Sequence, residues 1–198
     1  MFDSGKTAKT LIDGIILEAD IALSIQPSVY IDWLNATEQL LYTEVIKEQK
    51  FKELTYSTDE IAMSDLAVQG ENSKRFEDVY AVFADSTQLI KSTLTSGVIF
   101  KDTYYKTDDK IGLNLSKTPE KIKIIYFVKP ELKTISNYES ERVMLPIEFI
   151  DLIKAKLRGE AYKYANEDAL AAKWLNDYNV LVETFKAWLQ NKQPEFGI

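Results

Sequence analysis

The sequence predicts an α+β fold, namely a four-helix bundle of two N-terminal and two C-terminal helices with a small antiparallel β-sheet subdomain inserted between the pairs. Near both ends of the chain, apolar residues recur every three or four positions, the spacing of one helix face. Between them, residues 79–128 contain short runs of β-branched and aromatic residues separated by turn residues. Neither helical pair has enough apolar surface to be stable alone, so we expect the two pairs to pack together.

These patterns also predict the boundaries of the parts. The helical bundle comprises residues 1–56 and 137–192, the β-rich subdomain comprises residues 57–136, and a C-terminal tail without period comprises residues 193–198.

Two antiparallel helices are predicted in the N-terminal part. Residues 6–23 carry apolar side chains on one face, among them Leu11, Ile15 and Ala19. The helix breaks before Pro27, because the residue that precedes a proline avoids helical geometry, and Pro27 suits the first turn of a second helix. The charged segment 47–53 is predicted to be the solvated end of that helix, and residues 55–74 are predicted to be mostly loop.

The inserted subdomain is predicted to contain five short strands. The alternation of lysine and isoleucine along residues 121–124 is typical of a strand with one buried face. The predicted strands are residues 79–84, 88–94, 98–105, 111–115 and 121–128.

Two further helices are predicted after residue 142. Pro146 fits the first turn of a helix that runs to Tyr164. Asn166, followed by two acidic residues, fits an N-cap of the fourth helix, which we expect to end before Pro194.

Composition excludes several classes of site. The 198 residues include no cysteine and no histidine, which removes disulfides, thiolate nucleophiles, imidazole bases and the usual zinc sites. The net charge is −7 and only three basic residues are arginine, which disfavours general nucleic-acid binding. No apolar run approaches the length of a membrane span, and no signal peptide is recognised, so we expect a protein made in a cytoplasm.

The remaining motifs predict no catalytic, cofactor or metal site. The tripeptide that ends at Thr7 matches the end of a phosphate-binding loop but lacks the earlier glycine and strand. The adjacent acids at residues 59–60, 108–109 and 167–168 are typical of turns and helix starts. Residues 101–133 carry a local charge of +3. This region could bind an acidic partner surface or a nucleic-acid backbone. Alternatively, its lysines could protect exposed strand edges against aggregation.

Aromatic residues near the C-terminus are the candidate partner contacts. Trp33 and Trp174 lie on predicted core faces, whereas Trp188 lies near the end of the last helix, where a partner could cover it. Phe196 and Ile198 stand in the predicted tail and could dock into another chain.

Two segments carry a family resemblance. The first is Val143-Met144-Leu145-Pro146-Ile147-Glu148-Phe149, followed by an apolar helix, Ala161-Tyr162 and a long helix with Trp174. The second is Ile31-Asp32-Trp33-Leu34-Asn35-Ala36 in the predicted second helix. Together they resemble the bacteriophage head–tail connector adaptor (neck or ring) proteins of short-tailed and crAss-like phages, over nearly the whole chain.

The resemblance implies a structural virion protein that is not an enzyme and needs no cofactor. Such adaptors form a homo-oligomeric ring of about a dozen copies below the portal protein, joined by heterologous contacts. The ring extends the DNA channel, through which DNA passes without specific binding, and provides a platform for the tail or further neck proteins. Trp188, Phe196 and Ile198 would then face the portal, and the β-rich insert would face ring neighbours or the tail.

Two other functions stay open at this point. One is a non-catalytic cytoplasmic interaction or assembly module that never enters a virion. The other is a carboxylate-based hydrolase, whose sign would be a cleft that holds two acids with separated titrations.

Overall fold

The computed structural model describes residues 3–18, 25–66, 74–92 and 100–196. The chain divides into two compact units, one formed by Met1–Ile46 and Pro130–Ile198 and the other by Lys47–Lys129. We call them the helical unit and the β unit.

Four α-helices are formed by the part of the helical unit that the structure describes. They are α1 (Ala8–Glu18), α2 (Pro27–Leu41), α3 (Ile150–Tyr164) and α4 (Asp168–Phe196). A π-helical turn, Tyr42–Ile46, continues α2, and a 3₁₀ turn, Ile147–Phe149, precedes α3. Residues 19–24, predicted as the end of the first helix, lie outside the described residues.

Helix α3 is the centre of the helical unit. Seven of its fifteen residues are buried, and they lie on more than one face of the helix. It contacts each of the other three helices. The helices are therefore not arranged as an N-terminal pair facing a C-terminal pair, and the predicted bundle of two pairs around one sheet is wrong. The periodic apolar positions of α3 indicated a helix but not how many neighbours would surround it.

The ends of the helices have local causes. The Thr7 hydroxyl accepts a hydrogen bond from the Thr10 backbone at 3.2 Å, which caps the start of α1. Asn166 has a left-handed backbone (φ 61°), and the N–H groups of Asn166 and Glu167 bond back to Lys163 and Tyr162. This pattern is the Schellman motif that ends α3. Asn166 therefore closes α3, and its predicted role as the N-cap of α4 is wrong.

Helix α4 is the longest element of the chain. Its 29 residues extend about 43 Å, against about 22 Å for the fifteen residues of α3. It continues through Pro194 to Phe196, so the predicted end before Pro194 is wrong.

The described residues of the β unit form eight strands in two four-stranded sheets. The first sheet has the order β1-β8-β3-β4 and the second has the order β2-β7-β6-β5. Their ranges are β1 (Gln49–Thr55), β2 (Glu60–Ala62), β3 (Lys74–Ala84), β4 (Thr87–Gln88), β5 (Ile90–Lys91), β6 (Thr103–Lys106), β7 (Lys110–Asn114) and β8 (Lys121–Pro130).

The prediction of one small antiparallel sheet is therefore wrong as well. The run that begins at residue 88 is divided, since β4 pairs with β3 in the first sheet whereas β5 pairs with β6, in parallel, in the second. Leu89, between β4 and β5, is buried in the core of the β unit. The charged segment predicted as a helix end is β1, which pairs antiparallel with β8.

Candidate functional site

Two of the three predicted partner contacts, Trp188 and Phe196, lie on the second half of α4. Trp188 is half-buried, with its ring 5.3 Å from that of Phe149 and 6.0 Å from that of Phe185. The Trp188 ring is thus part of the packing between α4 and the start of α3. Phe196 is the last residue of α4, and its side chain is not described, while Ile198 lies outside the described residues.

A buried ion pair joins α2 to the segment before α3. One carboxylate oxygen of Glu38 accepts a hydrogen bond from Lys133 Nζ, and the other accepts one from the Met144 N–H at 2.8 Å. Asn35, one turn earlier, binds both the backbone N–H and the carbonyl of Lys133, at 2.9 and 2.8 Å. Both charged side chains are almost completely inaccessible to solvent.

Burial has the largest effect on the pKa of the Glu38 carboxyl. It raises the pKa of the Glu38 carboxyl, against the opposing effects of Lys133 and of the Met144 N–H. The ion pair holds the entry to α3, because Met144 directly precedes Leu145 and Pro146. Its geometry points to a structural role.

A groove runs between α3 and α4 of the helical unit. It encloses about 570 Å³ and has Trp174 and Leu181 among its apolar lining residues. The Arg158 guanidinium lies 4.7 Å from the centroid of the Trp174 ring and forms an ion pair with Glu18. Since Lys154 pairs with Asp151 in the same groove, two of its three acids are neutralised locally.

A partly exposed apolar surface lies on the first sheet of the β unit, in which two side chains are exposed and two are half-buried. We call it the outer strip and define it as Phe51, Tyr80, Ile125 and Phe127. Phe51 pairs directly with Ile125 across β1 and β8, so the two side chains share a face. Phe127, two positions along β8, shares that face, and its ring lies 5.5 Å from that of Tyr80. Phe51 is 65% exposed and Tyr80 is 56% exposed.

Lysines flank the outer strip. Lys123 and Lys129 lie on the same face of β8, on either side of Ile125 and Phe127. The Lys123 ammonium is 4.8 Å from the centroid of the Phe51 ring, and Lys129 forms an ion pair with Glu77 at 3.2 Å. Glu53 stands opposite Lys123 in the strand register.

An exposed acidic face lies on α2 and the turn that continues it. We call it the acidic ridge and define it as Ser28, Asp32, Ala36, Leu40 and Glu44. All five are exposed and are spaced by four residues, so they form one row along the helix. Residues 27–46 contain no lysine or arginine, and neither Asp32 nor Glu44 forms an ion pair with another described residue.

The two units differ in net charge. The β unit contains thirteen basic and thirteen acidic residues, so the whole net charge of −7 belongs to the helical unit. Most of it, −5, comes from residues 1–46.

Three of the six adjacent acids noted in the sequence bind nearby groups in turns and at strand ends. Asp59 accepts a hydrogen bond from the Tyr56 hydroxyl at 2.7 Å, and Glu60 pairs with Lys110 at 2.6 Å. Asp109 accepts one from the Thr107 hydroxyl at 2.8 Å. Within the described ranges, no group of three or more acidic, histidine or cysteine side chains could hold a metal ion, and no helix is long and apolar enough to cross a membrane.

No family model matches the chain, and no curated protein is significantly similar to it.

Sequence analysis missed the outer strip and the acidic ridge. The sequence does contain a pattern that indicates the outer strip. Lysine alternates with isoleucine at residues 121–124, and Ile125 and Phe127 then occupy positions where this alternation would place polar residues. The ridge also had such a pattern, in the absence of basic residues from a 20-residue helical segment. The partner of Glu38 had none, since Lys133 lies 95 positions away.

Proposed function

We propose that this protein is a structural head–tail adaptor of a bacteriophage, which assembles as a ring below the portal, extends the DNA channel and carries the tail. The hairpin of α3 and α4, entered through Leu145 and Pro146, is the observation that carries the proposal. The hairpin and the residues that lead into it contain the first of the two segments on which the resemblance to adaptor proteins rests, and the second segment lies in α2.

In this hairpin the quoted residues have packing roles. Leu145 is fully buried, and Pro146 precedes the 3₁₀ turn that leads into α3. Ala161 is buried, and Trp174 packs against the core from α4. A rigid hairpin with one helix about twice as long as the other provides an extended outer surface, as a ring component that contacts several chains needs.

The charge distribution supports a role for the helical unit in the channel through which DNA passes. An acidic wall repels the DNA phosphates, which favours passage of the nucleic acid without adhesion. The β unit, with no net charge and a partly exposed apolar surface, suits contact with protein.

The test is to locate the protein in purified particles. Quantitative mass spectrometry of virions should find the chain at the copy number of one ring, about a dozen per particle, and an antibody label should mark the neck. Presence in infected-cell lysate but absence from particles would favour the alternative, a cytoplasmic assembly module.

A further inference from the structure

The outer strip occupies a sheet face on which polar residues are expected. An antiparallel sheet that covers a core with one face usually presents polar side chains on the other, yet here Phe51, Tyr80, Ile125 and Phe127 form a continuous apolar row. We propose that the outer strip binds the acidic ridge of α2 on a second copy of this chain, in a head-to-tail contact. This inference rests on the ring proposed above and names the surfaces that would close it.

The two surfaces are complementary in the order of their residues. On β8, Lys123 and Lys129 enclose Ile125 and Phe127, and on α2, Asp32 and Glu44 enclose Ala36 and Leu40. Each surface therefore has apolar side chains at its centre and ionisable side chains at its two ends, lysines on the strip and acids on the ridge.

The spacing of the charges also agrees. Six residues separate Lys123 from Lys129, which in a strand is about 20 Å. Twelve residues separate Asp32 from Glu44, which along a helix is about 18 Å. A helix that lies along the strands of an open sheet face is a common way to complete a layered core.

A second copy fits the outer strip better than nucleic acid does. Glu53 and Glu77 lie beside the lysines, so the surface lacks the strong positive field that binding to a phosphate backbone requires. The Phe51 ring is moreover covered by the Lys123 ammonium, which occupies a position where a base would stack.

The size of the contact predicts that it is weak in a pair of isolated chains. Four side chains of this kind offer a few hundred Å² of apolar surface, whereas a stable interface buries about 800 Å² on each partner. A closed ring overcomes this weakness, because every subunit then forms the contact twice, once through each surface.

The experiment measures self-association of the full chain by sedimentation and by concentration-dependent NMR shifts up to about 1 mM. Wild-type protein should associate, with the shifts on β1, β8 and α2. The strip variant Phe51→Ser/Lys123→Glu and the ridge variant Asp32→Lys/Glu44→Lys should each weaken association by at least about tenfold.

Two control variants remove equally exposed apolar side chains elsewhere. Phe100→Ser, at 64% exposure, matches the Phe51→Ser change of the strip variant, and Ile135→Ser, at 56%, removes a second exposed apolar side chain outside both surfaces. Both should associate like wild type. Circular dichroism and thermal unfolding of every variant establish that it is folded.

Mixing the two double variants tests the head-to-tail geometry. The ridge variant keeps an intact strip and the strip variant keeps an intact ridge, so together they should form a one-to-one dimer that grows no further. A contact of strip with strip would give no such dimer and would overturn the proposal.

Other outcomes are equally decisive. Wild-type protein that remains monomeric at about 1 mM, unaffected association of the strip variant, or saturable binding of single-stranded oligothymidine to the strip would each overturn the inference. The adaptor function would survive any of these results, because it is tested by the presence of wild-type protein in virions.

Discussion

At the scale of single residues, Glu38 and Lys133 form a buried ion pair. Each charge satisfies the other in a region without solvent, and Glu38 also binds the Met144 N–H. A buried pair of this kind adds little net stability compared with apolar residues, but removal of one partner leaves an uncompensated charge. Its expected contribution is therefore to position the segment that leads into α3.

The single variant Glu38→Gln should destabilise the fold by about 3–5 kcal/mol, because it leaves the Lys133 ammonium buried without a counter-charge. Urea unfolding of the purified chain measures this loss. The double variant Glu38→Gln/Lys133→Met is the control, since it removes both charges and keeps an acceptor for the Met144 N–H, and it should recover most of the stability. Equal stability of the single variant and wild type would contradict the assigned role.

A second residue-scale prediction concerns Asp102. Its carboxylate accepts hydrogen bonds from the backbone N–H and hydroxyl of Ser116, at 3.0 and 2.7 Å, and the bond from the N–H is the main reason that the pKa of Asp102 is lowered. The stability from these bonds is present above the unfolded pKa, about 3.9, and is lost as the pH falls through the lower folded pKa.

The variant Asp102→Asn should therefore be less stable than wild type at pH 7, and the difference should shrink as the pH falls below about 4. Asparagine tolerates the left-handed backbone at this position (φ 60°), so the substitution tests the carboxylate alone. Asp108→Asn, which alters an acid without hydrogen bonds to other described residues, is the matched control. A stability difference that does not depend on pH would refute this explanation.

At the scale of elements, the close packing of α3 on α4 depends on Gly159. A Cβ atom at this position would stand 2.8 Å from two side-chain carbons of Leu175 and 3.3 Å from its backbone nitrogen. The absent side chain therefore allows the two helices to approach closely.

The variant Gly159→Ala should destabilise the helical unit by about 1–2 kcal/mol, because overpacking outweighs the gain in helix propensity. Thermal unfolding measures the change. Gly14→Ala on α1 is the control, since a Cβ there meets no atom within 4 Å, and it should be neutral or stabilising. A more stable Gly159→Ala variant would show that the helices can move apart without cost.

The elements also show what the sequence could predict. The period of three and four along residues 150–164 correctly indicated α3, because helical spacing is local information. It could not reveal that α3 is surrounded by three helices, because that depends on residues distant in sequence. Strand β1 was not predicted, because it is rich in lysine and glutamate and has few apolar residues of its own. Its neighbour β8, with which it pairs, provides most of the apolar residues. Trp188 is a predicted partner contact because of its position near the end of the last helix, but its packing against Phe149 depends on residues distant in sequence and was not predicted.

At the scale of the whole molecule, the second half of α4 is the proposed portal contact. Deletion of residues 193–198 should abolish attachment to portal complexes and leave the isolated chain folded, because the core residues Phe185 and Trp188 precede the cut. Pull-down with the purified portal of the same phage measures attachment, and circular dichroism measures whether the truncated chain is folded. Val180→Ser, an exposed change earlier on α4, should attach normally. Full attachment of the truncated chain would move the portal contact elsewhere.

The most direct test of the adaptor function is the composition of purified virions. Quantitative mass spectrometry should find this chain in every particle at about a dozen copies, the number in one ring. Its absence from particles that contain portal and tail proteins in normal amounts would contradict the function proposed here.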